Sequence, residues 1–207
     1  MNLDSFNSGM LLILTGVTSA AGKDTVMRRL LEIFPQMERI VTVNTRPMRQ
    51  GEIEGVDHYF RSKEHFADML QANEFFEWKE FAGNFYGTPK SEIEKVLSGR
   101  VVIWRIDPIM ALKMQVALTD FFGEDKGKEI WNHTLTIFLD APNKQTLLQR
   151  MLRRGANEQE ISARLEDVWN ERNKVVGKFK NVIVNTDGRL EEAVERVTKL
   201  MSEFRPS

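Results

Sequence analysis

The chain has 207 residues, a formal net charge of −1 and no cysteine. That length supports one domain, or a core with small attached lobes, burying roughly 70% of the unfolded surface without covalent staples. Disulfides and thiolate metal sites are excluded, and a dedicated nucleic-acid binder, which carries a large basic excess, is not expected.

The first nine residues, MNLDSFNSG, read as a loose tail with one acid and no basic cluster. The apolar run Met10 to Leu14 is too short for a secretory leader or a membrane span, and no other stretch approaches the ~20 apolar residues that a span needs. A cytoplasmic protein without a membrane partner is expected. MLLILT (10–15) is continuously apolar and stops at Gly16, the pattern of a buried parallel strand. Val26, Leu30, Leu31 and Phe34 then recur at helical spacing until Pro35.

Residues 42–98 are rich in aromatics, glycine and charge, with short strand-like pieces, a helix over 63–72, and a capping box at Ser91 and Glu94. Strands follow at 101–107, 134–139 and 181–185, with helical patterns after each. Residues 120–132 read as a long surface loop. Alternating strands and helices predict an α/β chain with a parallel sheet covered on both faces.

The strongest local signal is Gly16-Val17-Thr18-Ser19-Ala20-Ala21-Gly22-Lys23-Asp24-Thr25. Small residues let backbone N–H groups point at phosphate oxygens, a lysine reaches the β- and γ-phosphates, and a helix N-terminus faces the anion. From Gly16 the spacing is one residue longer than GxxxxGK[ST]. Asp24 stands where a hydroxyl normally contacts a metal, and Thr25 follows. The bland alternative is a glycine turn before a helix, with a solvated lysine.

Residues 42–58 (TVNTRPMRQGEIEGVDH) and 75–90 (FFEWKEFAGNFYGTPK), with the phosphate loop, resemble the guanylate kinases. The later segment LLQRMLRRGANEQEISARL and the strand VIVN resemble that family's lid and adenine-side strand. The resemblance runs from Met10 to the end. It implies a P-loop nucleoside monophosphate kinase fold: a tail at 1–9, a parallel-sheet core at 10–41 and 99–207 with a mobile lid at about 150–165, and an inserted GMP-binding lobe at 42–98.

The implied activity is transfer of the γ-phosphate of ATP to GMP and dGMP, with Mg²⁺ bridging the donor phosphates. The ten loop residues above, with Arg150, Arg154 and Asn185, would hold ATP, and Asp24 and Thr25 would face Mg²⁺. Arg46 and Arg49 would grip the acceptor phosphate as bidentate forks, joined by Tyr86, His58 and Tyr59. Glu77 offers two acceptors to the N1–H and N2–H₂ donors of guanine, and Thr42, Thr88 and Asp107 complete that site. Lys23, Arg46, Arg150 and Arg164 would stabilise the charge spreading over the migrating group.

Taken singly, each of these residues has a plainer role. Paired arginines are common on surfaces, a Glu beside Trp78 is more often a surface charge, and a strand-end Asn is usually a turn former. The chain also departs from the family. Arg105 stands where an acid is usual, and is either a further phosphate cation or an edge residue. His58 stands where a phosphate-binding tyrosine is usual, or is a half-exposed packing residue. The lid is one residue short, and the 120–132 segment roughly ten longer. Competing functions are a non-catalytic guanylate-kinase-like interaction module, a same-fold kinase with another acceptor, and an ATPase driving a partner. Monomer and homodimer both fit.

Overall fold

The computed structural model describes residues 9–153 and 158–206, the side chains of 19, 158–160 and 162–164 excepted. Its centre is a parallel sheet of five strands: β1 (Met10–Thr15), β2 (Glu38–Arg39), β7 (Val101–Arg105), β8 (Thr134–Asp140) and β9 (Val182–Val184), ordered β2-β7-β1-β8-β9. Every residue of β1 is buried, because helices cover both faces. Leu12 and Leu14 pack with Leu30 of α1 (Lys23–Ile33) and Val197 of α8 (Leu190–Glu203). Leu11 and Ile13 point the opposite way, towards Met114 and Leu118 of α4 (Pro108–Phe122). The period of two in β1 thus feeds two separate cores.

Between β2 and β7 the chain builds a second sheet of four strands, β3 (Thr42–Asn44), β4 (His58–Phe60), β5 (Phe75–Phe81) and β6 (Asn84–Pro89), ordered β4-β3-β6-β5. The helix α2 (Lys63–Gln71) is capped by Ser62, whose hydroxyl accepts the His65 N–H at 3.1 Å. Phe66 of α2 stacks on Phe75 and Phe85, with ring centroids 4.4 and 5.4 Å apart, and gives this sheet its own small core with Val43. The returning helix α3 (Lys90–Glu94) and the 3₁₀ turn Lys95–Ser98 put Ile93 and Val96 into the cluster that holds Leu11 and Trp104.

Two expectations fail. Residues 120–132 are helical: α4 runs to Phe122, and α5 (Glu124–Asn132) follows after one glycine. Gly123 at φ 84° makes the break, and Ile130 is fully buried. The charges that suggested a loop sit on the solvent side, where Lys128 pairs with Glu124 at 2.6 Å one turn away. Nor do Ser91 and Glu94 form a capping box. β6 runs to Pro89, which is itself the N-cap at φ −62°, with no side-chain cap bond.

After β8 the chain forms α6 (Lys144–Leu152) and α7 (Glu158–Val175). Asn143 caps α6 by accepting the Thr146 N–H at 2.8 Å. From α7, Arg172 donates to both oxygens of the buried Asp140 at the end of β8, at 2.5–3.2 Å. No described helix is long and apolar enough to cross a membrane.

Candidate active site

The phosphate loop leaves β1 at Gly16, makes a 3₁₀ turn at Ser19–Ala21 and enters α1 at Lys23. Two of its glycines are dictated by close approach. A Cβ on Gly16 (φ 156°) would lie 2.5 Å from the Leu139 carbonyl oxygen, and one on Gly22 (φ 90°) would lie 2.2 Å from Asn185 Nδ2. Asn185 is therefore more than a turn former: it is buried, and its amide donates to the Ala21 carbonyl at 3.0 Å, holding the loop to the end of β9. Lys23 is buried at the mouth of α1, with Nζ donating to the carbonyls of Gly16 (2.7 Å) and Thr18 (2.8 Å). The loop thus encircles the ammonium, where the positive end of the helix also points.

A cavity of about 480 Å³ opens from this loop towards the second sheet. Gly16, Val17, Thr18 and Lys23 line one side, and Thr42, Glu77, Tyr86 and Thr88 the other. Strand register explains the second set. Thr42 lies opposite His58 in β3/β4, and Glu77 opposite Thr88 in β5/β6, so one face of the pleated sheet presents them all. The buried Thr88 hydroxyl donates to Glu77 Oε1 at 2.7 Å and so orients the carboxylate. The Thr42 hydroxyl and His58 Nδ1 are 2.8 Å apart. Burial, then the positive charges of Arg39 and Arg46, hold the His58 imidazole below its usual range.

Arg46, Arg49 and Tyr59 do not line this cavity. Arg46 is held on Glu52 by a two-pronged contact at 2.5 and 2.7 Å, with the pair largely shielded from solvent. That contact, with the Arg49 N–H, pulls the Glu52 carboxyl down to about 2. The Arg49 side chain is exposed. Tyr59 lies on the opposite sheet face from His58, with its ring in the small core and its hydroxyl on Glu92 at 3.0 Å. Asp107 lines the cavity and caps α4, accepting the Met110 N–H at 2.9 Å.

Arg150, Thr25 and Asn185 line a separate cavity of about 280 Å³ on the far side of the loop, with Gly22 and Asp187. Arg150 donates to Asp187 (2.7 Å) and to the carbonyls of Ala20 (3.2 Å) and Asn185 (2.6 Å). Arg153 is exposed beyond it, 3.3 Å from Asp187. Arg154 and the side chains of Ser19 and Arg164 lie outside the described residues. A larger cavity of about 770 Å³ sits at the start of β8, and none of the sequence-predicted site residues lines it.

Arg105 comes to the main cavity from the end of β7 and forms an ion pair with Asp24, one residue past Lys23. Lys79 and Glu171 line the cavity too and were not singled out from sequence. Lys79 had a readable signal, standing two residues from Glu77 on the same strand face. Glu171 had none, because α7 reaches the cavity only through tertiary packing.

The sequence profile of the guanylate kinase family matches residues 8–204. The guanylate kinase of Desulfitobacterium hafniense is 33% identical over 196 residues, covering 94% of this chain and 90% of that protein. The guanylate kinase of a Synechococcus strain is 34% identical over 195 residues, covering 93% and 82%. The crystal structure of guanylate kinase from Anaplasma phagocytophilum superposes with a TM-score of 0.62 at 26% identity, over 95% of this chain and 86% of that one. A profile match over nearly the whole chain, joined to relatives a third identical over nine-tenths of it, makes this chain a member of the guanylate kinase family.

Proposed function

We propose that the protein transfers the γ-phosphate of ATP to GMP, releasing ADP and GDP. One observation carries this reading: a single cavity joins Gly16, Thr18 and Lys23 to Thr42, Glu77, Tyr86 and Thr88. A triphosphate tail on the loop and a purine monophosphate on the small sheet would meet in it. The small sheet with α2 acts as the acceptor lobe, and α6 and α7 carry the lid.

Glu77 recognises guanine. With Thr88 donating to Oε1, the carboxylate is held ready to accept from N1–H and N2–H₂. Adenine, with an acceptor at N1, meets like against like. Lys23 exchanges the Gly16 and Thr18 carbonyls for donor phosphate oxygens. Arg46 is already shaped for an oxyanion, because Glu52 occupies its fork as an acceptor phosphate would.

An acceptor phosphate oxygen attacks the γ-phosphorus in line with the departing ADP oxygen. Alignment and charge stabilisation supply the catalysis, so no strong base is required. Mg²⁺ supplies further neutralisation of the donor phosphates when bound. Asp24, ion-paired with Arg105 beside the main cavity, would offer it a carboxylate oxygen once that pair opens, and Thr25, which lines the smaller cavity, would offer a hydroxyl.

The test is an ADP-release assay with ATP, Mg²⁺ and a panel of nucleoside monophosphates, in which GMP and dGMP are expected to outpace AMP, CMP and UMP. Equal rates across the panel would overturn the acceptor. Lys23→Ala is expected to fold and to lose at least about 10²-fold in kcat, the scale of one preorganised charge contact. An unchanged kcat would overturn the phosphate role.

A further inference from the structure

The chain passes between the two sheets twice: outward between β2 and β3, and back from β6 into α3. Glu92, in the first turn of α3, stands at both passages. It is 3% exposed, and none of the roles above uses it. Its Oε2 accepts the backbone N–H of Val41, in the outward passage, at 3.0 Å, and its Oε1 accepts the Tyr59 hydroxyl of β4 at 3.0 Å. Lys95 donates to Oε2 at 2.9 Å and also reaches Glu38 of β2 at 3.2 Å.

We propose that Glu92 is a positioning residue that pins both passages to the central sheet and thereby sets acceptor affinity. The chemistry is specific to a carboxylate. An amide, a phenol and an ammonium all donate to it, so every contact needs an acceptor, and a carboxamide would turn donors against one of them. What it holds is one step from the acceptor face. Val41 precedes Thr42, and Tyr59 follows His58. Thr42 and His58 are partners in the β3/β4 register and are joined by their own 2.8 Å contact. Releasing Glu92 lets the paired ends of β3 and β4 shift against the phosphate loop, whereas the loop itself, built on β1, β8 and β9, keeps its supports. The effect therefore falls on the acceptor and spares the donor. This inference rests on the assignment of the small sheet to GMP.

Three full-length variants test it: Glu92→Gln, Tyr59→Phe as the milder change should the first fail to fold, and Glu77→Gln for the acceptor face itself. Glu92→Gln and Tyr59→Phe are expected to raise KM for GMP by about tenfold, within the hundredfold that a 1 Å misplacement can cost. KM for ATP and kcat should stay within about twofold. Amide exchange at Val41 should quicken in Glu92→Gln. Unchanged KM for GMP in both variants, or parallel rises in KM for both substrates, would overturn the pin. If Glu77→Gln leaves KM for GMP unchanged, the acceptor-face assignment falls instead. The Val41 exchange rate then still reads the pin by itself: an unaltered rate overturns it, and a faster one upholds it.

Discussion

Glu77 and Arg46 illustrate how a side chain acquires a role from its partner. Glu77 is a half-buried acid on a strand whose Oε1 accepts the Thr88 hydroxyl, and the proposed reading of guanine depends on that orientation. Glu77→Gln puts an NH₂ donor where guanine also donates, so KM for GMP should rise by roughly 10²-fold or more while ATP binding holds, as when a buried polar site meets a mismatched ligand. Isothermal titration with each nucleotide checks this, and equal losses for both would remove the base-reading role. His58 offers a pH test. Its imidazole titrates below the usual value of about 6.5 because burial and the nearby Arg39 and Arg46 disfavour the cation. The unfolded chain therefore binds the proton first. The contribution of His58 is present above about pH 6.5 and is lost as pH falls through its folded pKa. The melting temperature of wild type should fall more steeply than that of His58→Gln between about pH 7 and pH 5, and parallel curves would count against it.

At the scale of elements, the α4–α5 corner shows how a charged segment becomes a helix. Glu124 and Asp125 favour the helix N-terminus, and Lys128 supports Glu124. The buried Gly127 lets α5 lie directly on α4: a Cβ there would meet the Leu118 oxygen and the Thr119 Cα, each at 2.6 Å. Both contacts are backbone, which cannot rotate aside. Gly127→Ala should cost about 1–3 kcal/mol in urea unfolding despite alanine's better helix propensity, as overpacking does. A neutral or stabilising result would mean the corner can open. The strands were more legible, since β1, β7, β8 and β9 are apolar runs that stand out from charged neighbours. Strand β2, two residues long, has too little pattern to read and exists because β7 offers it an edge.

For the whole molecule, the main cavity is open between the two sheets, while Arg150 is tied to the outer side of the loop. Catalysis requires water to be excluded, so the proposed acceptor sheet and lid are expected to close on paired substrates. The radius of gyration from small-angle scattering should fall when a bisubstrate analogue binds, and identical profiles with and without it would count against closure.

Local chemistry in the sequence was sufficient for several conclusions. The spacing of apolar residues determines where strands and helices alternate, because burial on both faces or on one stripe demands it. Small residues before Lys23 make a phosphate loop, because backbone N–H groups need room around an anion. Other features depend on residues far apart in the chain. Thr88 orients Glu77, Asn185 anchors the loop at Ala21, and Glu92 gathers Val41 and Tyr59. Glu52 occupies Arg46, and Tyr59 turns inward while His58 turns outward. Such contacts leave no periodic trace in sequence. Each is settled only when strand pairing, loop closure or packing brings a donor and an acceptor to within about 3 Å.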